Sequence, residues 1–191
     1  MENQTELQDY EYQILWARKV LTDPTNYLIL DTETTGLEWG REIIQVSAID
    51  ATGAVLLNTL VKPTQPIPAA ASKIHGITDK TVKDAPTWPE VYPAVVVLLN
   101  SYQAMTYNSA FDVQMIHSSC WRNSIQEETF NEVDCAMMRY STYYGDWSEY
   151  HGSYRWQRLP GGDHSALGDC KATLDLIRKM AASKLDSEKQ S

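Results

Sequence analysis

Residues 26–36, NYLILDTETTG, run four consecutive apolar or aromatic side chains straight into Asp31 and Glu33. A short run of this kind between turn residues reads as a strand buried on both faces. Side chains two apart on a strand share a face, so the two carboxylates stand side by side at its end. Like charges that close raise one another's pKa and weaken the fold. The plain structural reading is a polar strand end entering a Thr-Thr-Gly turn. Against it, the strand is apolar enough to be central, and no basic residue lies nearby in sequence. A divalent cation held by oxygen ligands would offset the repulsion.

The rest of the pattern supplies a sheet and its covers. Residues 7–21 place apolar residues at helical spacing, stopped by TDPT at 22–25. REIIQVSAID (41–50) and GAVLLNTLV (53–61) read as two further strands joined at a DATG turn. Prolines 63, 66 and 68 make residues 62–76 a loop, and Thr78 caps a short helix. Pro89 suits the first turn of a helix over PEVYPAVVVLLN. SYQAMTYN (101–108) reads as a strand, AFDVQMIHSSCWRN (110–123) as a helix, and NEVDCAMM (131–138) as a strand turning into a helix. Residues 141–158 are aromatic and polar and fit neither period. A last long helix covers about 165–182, with Ala166, Ala172, Leu176, Ile177 and Met180 along one face. Residues 183–191 read as a polar, frayed tail. Three successive strands followed by alternating helices and strands predict an α/β fold. Its mixed five-stranded sheet has three antiparallel strands and then parallel ones, with helices on both faces.

At 191 residues the chain suits a single domain with its own core. No stretch approaches the roughly 20 apolar residues of a membrane span, and MENQTELQDY lacks the basic-then-apolar pattern of a signal peptide. Cys120, Cys135 and Cys170 are odd in number and widely spaced, which suggests neither a disulfide framework nor a thiolate metal site. These features fit a cytoplasmic protein with free thiols. The net charge of −9 disfavours an extended grip on duplex nucleic acid, because phosphate contacts dominate such affinity. It leaves room for a short strand end held through metal ions.

Further ligands for a cation are available. Asp112 in TYNSAFD follows a strand near the start of a helix, where the helix dipole alone favours an acid. His164 and Asp169 in DHSALGDC flank four residues at the start of the last helix. Each alone reads as solvated surface.

Taken in order, DTETTG, HGIT, YNSAFD and HSALGD resemble the motifs of the DEDDh, or DnaQ-like, 3′–5′ exonucleases. That family includes the proofreading subunit of bacterial DNA polymerase III and ribonuclease T. The resemblance spans roughly residues 27–180 of a single exonuclease domain expected over 1–191, with its catalytic core at about 27–182, and DTETTG with H-x4-D is specific as a pair. It implies a ribonuclease H-like fold, with Asp31, Glu33, Asp112 and Asp169 as metal ligands and His164 as general base. The implied cofactors are two Mg²⁺ ions, or Mn²⁺ in their place. Two such ions, about 3.5–4 Å apart, stabilise the attacking and leaving oxygens of an in-line displacement. Asp31 would bridge both, Glu33 and Asp169 would complete one site, and Asp112 would serve the other. An imidazole, which ordinarily titrates near pH 6.5, suits removal of the attacking water's proton. The implied reaction is stepwise hydrolysis from the 3′ end of single-stranded DNA, releasing nucleoside 5′-monophosphates.

On the substrate side the resemblance points to Thr34, Gly36 and Leu37 in DTETTGL, His75 in HGIT and Asn108 in YNSAFD. Local turn packing for Leu37, a loop cap for His75 and turn closure for Asn108 are the structural alternatives. The rings of Tyr143, Tyr144, Trp147, Tyr150, Tyr154 and Trp156 read mainly as packing of their own loop. Arg139, Arg155, Arg158 and Lys171 read as solvated surface. The same motifs serve enzymes that trim RNA 3′ ends. A reading from another class is a weakly active module docking on a polymerase or helicase. The family also contains homodimers.

Overall fold

Tyr27, Leu28, Ile29 and Leu30 are all buried, so their strand needs apolar cover on both faces. The computed structural model describes residues 8–189. Its elements are α1 (Asp9–Thr22), β1 (Tyr27–Thr34), β2 (Ile43–Asp50), β3 (Val55–Leu60), α2 (Ala69–His75), α3 (Asp79–Val82), α4 (Trp88–Ser101) and β4 (Gln103–Thr106). There follow α5 (Ser109–Arg122), β5 (Asp134–Cys135), α6 (Ala136–Tyr144), β6 (Trp147–Ser148), β7 (Ser153–Tyr154), α7 (Ala166–Ala181) and α8 (Asp186–Lys189). The main sheet has the order β3-β2-β1-β4-β5. β1–β2 and β2–β3 are antiparallel, whereas β1–β4 and β4–β5 are parallel, as the sequence predicts.

Alternation along β1 sorts its side chains between two cores. Leu28 and Leu30 pack with Trp88, Val95 and Leu99 of α4 and with Met115 and Ile116 of α5. Tyr27 and Ile29 face the other way, against Ala17 and Val20 of α1, Tyr140 of α6, and Cys170, Leu174 and Ile177 of α7. Each buried aliphatic of this size contributes about 1.5–3 kcal/mol. Carried two residues further, the same alternation sends Thr32 toward α5 and Asp31 and Glu33 toward α7.

Local chemistry fixes the connections. Asp50 Oδ1 accepts the backbone N–H groups of Thr52, Gly53 and Ala54 at 2.9, 3.1 and 3.0 Å, which folds the DATG turn. The Thr87 N–H donates to Glu90 Oε2 at 2.7 Å at the start of α4, and Pro89 occupies its first turn. The helix continues through Pro93.

Three segments depart from expectation. Residues 62–76 are not all loop: Pro68 stands before α2, and Ala69–His75 are helical until Gly76 stops them at φ +75°. The unclassified aromatic segment contains the end of α6 and the β6–β7 hairpin, where Trp147 meets Tyr154 edge-on at 5.1 Å. The tail does not fray at 183, because Arg18 of α1 holds it. Its guanidinium donates to both Glu188 carboxylate oxygens at 2.7 and 2.8 Å and to the Ser183 carbonyl at 2.9 Å. The first residue of the expected N-terminal helix, and positions 190–191, lie outside the described residues. No helix among the described residues is long and apolar enough to cross a membrane.

Candidate active site

The turned-out end of β1 meets the first turn of α7. Asp31 and Glu33 each bring a carboxylate oxygen within 4.8 Å of one from Asp169, all three mutually. Asp169 is in place because Ser165 caps α7, its Oγ accepting the Gly168 N–H at 3.1 Å. The Asp163 N–H donates to Asp169 Oδ1 at 2.9 Å, and Asp163 Oδ1 in turn accepts from Ser165 N and Oγ at 3.0 and 2.7 Å. A Cβ at Gly168 would lie 2.6 Å from Asp163 Cγ, so a larger residue there must displace the Asp163 carboxylate.

Asp112 enters from the opposite side of β1. It is buried on the first turn of α5, and its Oδ1 accepts the Thr32 hydroxyl at 2.8 Å. It lies outside the tight trio but lines the same cleft, a space of about 690 Å³ shared with Asp31, Glu33, Tyr107, Asn108, Phe111, Arg158, Leu159, Gly162, His164 and Asp169. His164 is exposed and stands in the left-handed region at φ +60°, uncommon for a residue with a side chain.

These acids are mutually unfavourable. Burial, then the charges of Asp112, Asp169 and Glu33, push Asp31 well above the usual carboxylate range. Burial and the charges of Asp169, Asp112 and Asp163 push Glu33 up to about 7. Burial raises Asp112 to about 6, opposed by its hydrogen bond from Thr32. Among the described residues, none of the ion pairs includes any of the four acids. Clustered carboxylates without a cationic side chain are a donor set for a hard divalent ion.

A second cleft adjoins the first through Thr32, Glu33, Phe111 and His164. It has a volume of about 510 Å³ and is also lined by Thr34, Gly36, Leu37, Ile74 and His75. Leu37 projects there with 73 % of its surface exposed. His75 Nδ1 accepts the Ile77 N–H at 3.0 Å, and burial holds this imidazole below its ordinary range. Thr34 spends its hydroxyl on the Gly36 carbonyl at 2.8 Å, closing the turn. The five expected site residues thus converge on one cleft, which Asn108 lines with them; Thr34, Gly36, Leu37 and His75 line its neighbour.

Sequence reasoning passed over Thr32, Asp163, Tyr107, Phe111 and Leu159. Thr32 was within reach, because β alternation aims it away from Asp31 and toward the helix carrying Asp112. Arg158, expected as plain surface, borders the cleft; Arg139 and Arg155 instead pair with Asp134 and Asp146 at 3.1 and 2.8 Å.

A family model described as "Exonuclease" matches residues 28–177, which include every acid of the cleft. The chain belongs to this exonuclease family. It is 40% identical over 181 residues to the uncharacterized exonuclease CP81 of Escherichia phage 186, covering 86% of this chain and 92% of that protein. It is 31% identical over 103 residues to the DNA polymerase III subunit epsilon of Pasteurella multocida, covering 49% of this chain and 41% of that one. The exonuclease therefore spans nearly all of its phage relative but about two-fifths of the polymerase subunit. Exonuclease X, solved with a 5′-overhanging duplex DNA, superposes with a TM-score of 0.55 at 26% identity, over 85% of this chain and 96% of that one. Exonuclease I of E. coli, solved with a dT13 oligonucleotide, shares the fold at TM-score 0.64 and 18% identity, over 82% and 41% of the two chains. The protein is a DnaQ-like 3′–5′ exonuclease with the ribonuclease H-like architecture of its relatives.

Proposed function

We propose that this exonuclease is of the DEDDh type and removes nucleotides from the 3′ end of single-stranded DNA, releasing nucleoside 5′-monophosphates. The observation that carries the reading is the trio of Asp31, Glu33 and Asp169, oxygens within 4.8 Å and, among the described residues, no cationic side chain paired to them. These acids, with Asp112, would hold Mg²⁺ or Mn²⁺. When bound, such ions neutralise the charge that develops on the phosphate's attacking and leaving oxygens.

The chain's own groups do the rest. Asp112, fixed by Thr32, and Asp169, fixed by the Asp163 N–H, keep the donor set rigid. A ring nitrogen of His164 takes the proton of the attacking water, a role its place at the mouth of the cleft supports. Leu37, Ile74, Phe111 and the neutral His75 receive the terminal nucleoside in the adjoining cleft. Arg158, on the rim, faces the phosphates. The named relatives solved with DNA, and the polymerase subunits, support DNA as the substrate and a polymerase as a partner.

The test offers 5′-labelled single-stranded DNA, matched RNA and duplex with Mg²⁺, Mn²⁺ or chelator. A metal-dependent ladder from the 3′ end of the DNA is expected. Asp31→Ala should abolish it, and His164→Ala should slow it by about 10²–10⁴-fold. No cleavage with either metal refutes the reading, and faster cutting of RNA replaces the substrate.

A further inference from the structure

Trp39 and Trp121 are 55% and 56% exposed, with ring centroids 6.1 Å apart and planes tilted by 45°. Two large rings left together in water form a patch that invites a ligand. The short loop 37–41 that carries Trp39 is rigidly attached to α5. The Gly40 N–H donates to Ser118 Oγ at 2.8 Å, and that hydroxyl donates to the Arg41 carbonyl at 2.6 Å. Gln114 Nε2 reaches the Leu37 carbonyl at 3.5 Å. Leu37, at the head of the loop, lines the cleft beside the carboxylates. The pair thus lies next to the site, Trp39 two residues beyond Leu37 and Trp121 on the helix of Phe111, which lines both clefts. The Arg122 guanidinium lies 5.9 Å from the Trp121 ring centroid, and Arg41, paired with Glu38 at 3.0 Å, stands at the other end of the loop.

The helix sets the spacing. Trp121 follows Asp112 by nine residues on α5. At about 1.5 Å and roughly 100° per residue, that places it about 14 Å along the axis and half a turn round from Asp112, on the face of Gln114 and Ser118 that holds loop 37–41.

We infer that Trp39 and Trp121 form a stacking platform for nucleobases beyond the terminal nucleotide, with Arg41 and Arg122 facing the backbone. The inference rests on the nuclease reading and extends it beyond the terminal nucleotide. A chain with a net charge of −9 has little general electrostatic hold on DNA. Base stacking on aromatic rings supplies a grip that needs no net positive charge and tolerates any sequence. The bases come either from the strand being cut or from the overhang of its complement.

The test measures equilibrium binding by fluorescence polarisation of labelled dT3, dT8 and a duplex with a 5′ overhang, each ending in a 3′ phosphorothioate linkage. In the wild type, dT8 binds more tightly than dT3. Trp39→Ala and Trp121→Ala each erase about fivefold or more of that gain, and Trp39→Phe and Trp121→Phe retain it. A loss confined to the overhanging duplex assigns the platform to the complementary strand. If both alanine variants, folded by circular dichroism, bind all three ligands like the wild type, the platform is overturned and a protein-docking patch takes its place. A loss as large on dT3 as on dT8 marks a distorted cleft and also overturns it. Because the readout is binding, a wild type that cuts nothing would sink the nuclease reading while the length dependence still decides the platform.

Discussion

Replacing Glu33 by Gln should stabilise the metal-free protein while destroying its activity. Burial and three neighbouring acids push Glu33 from 4.5 to about 7. The folded state therefore holds this proton more tightly than the unfolded chain does. Between about pH 4.5 and 7, unfolding releases it, so stability falls as pH rises. Below that window the group is neutral in both states and costs nothing. Above it the ionised carboxylate weakens the fold by the full amount, about 3 kcal/mol at roughly 1.4 kcal/mol per pH unit. A glutamine keeps the shape and cannot ionise. For a domain of this size, 1 kcal/mol moves the melting temperature by about 2–4 °C, so the variant should melt roughly 6–12 °C above wild type at pH 8 in chelator. At pH 5, half a unit into the window, the gap should shrink to about 1 kcal/mol or less, roughly 2–3 °C. Asp112, raised to about 6, leaves a residual slope in the variant. The assay is thermal unfolding from pH 5 to 8 in EDTA, repeated with saturating Mg²⁺, which should stabilise the wild type more than the variant. A variant that melts at or below wild type at pH 8 in EDTA would show that the carboxylates do not repel one another as their geometry requires.

Two other substitutions probe how the acids are held. Gly168→Ala gains helix propensity of about 1 kcal/mol, yet its Cβ would press on the Asp163 carboxylate, 2.6 Å from Cγ. Steady-state kinetics should show at least a tenfold fall in kcat despite a level or raised melting temperature, with most of the activity recovered in Asp163→Ala/Gly168→Ala. Thr32→Val removes the 2.8 Å hydrogen bond to Asp112. Denaturant unfolding at pH 8 should show a loss of about 1–3 kcal/mol, and the acid limb of the pH–rate profile should move upward.

The sheet was legible because its signals are local. Four apolar residues before Asp31, the alternation of β2 and the DATG turn each name their own structure, and together they leave one pairing scheme. Asp31 and Glu33 stood out as paired carboxylates on one strand, whereas Asp112, His164 and Asp169 each read as ordinary helix-start or surface residues and joined them only through the resemblance; the structure brings all five to one cleft. What stayed hidden depends on partners far apart in sequence. Ala69–His75 forms a helix although three prolines precede it, since Pro68 stands outside its first turn. Residues 186–189 are held by Arg18, some 170 positions away, a contact no local pattern announces. Arg158 borders the cleft because Tyr107 donates its hydroxyl to the neighbouring Gln157 carbonyl at 2.7 Å. The Trp39–Trp121 pair likewise joins residues that only the α5 contact brings together.

β1 is paired with β2 from Leu28 to Thr34 and with β4 over Tyr27–Ile29, and its apolar run is packed on both faces, so the amides leading into Asp31 should exchange with solvent only when the whole domain opens. His164 lives under a different regime. It stands exposed on a turn, in a backbone conformation that costs a side-chain-bearing residue about 1–2 kcal/mol. Local opening of that turn leaves both cores untouched. Asp31, Glu33 and Asp112 on β1 and α5 thus keep the slow clock of global unfolding, while the imidazole, and the Asp163 N–H that steadies Asp169, keep a faster one, and a nuclease so built can idle without coming apart.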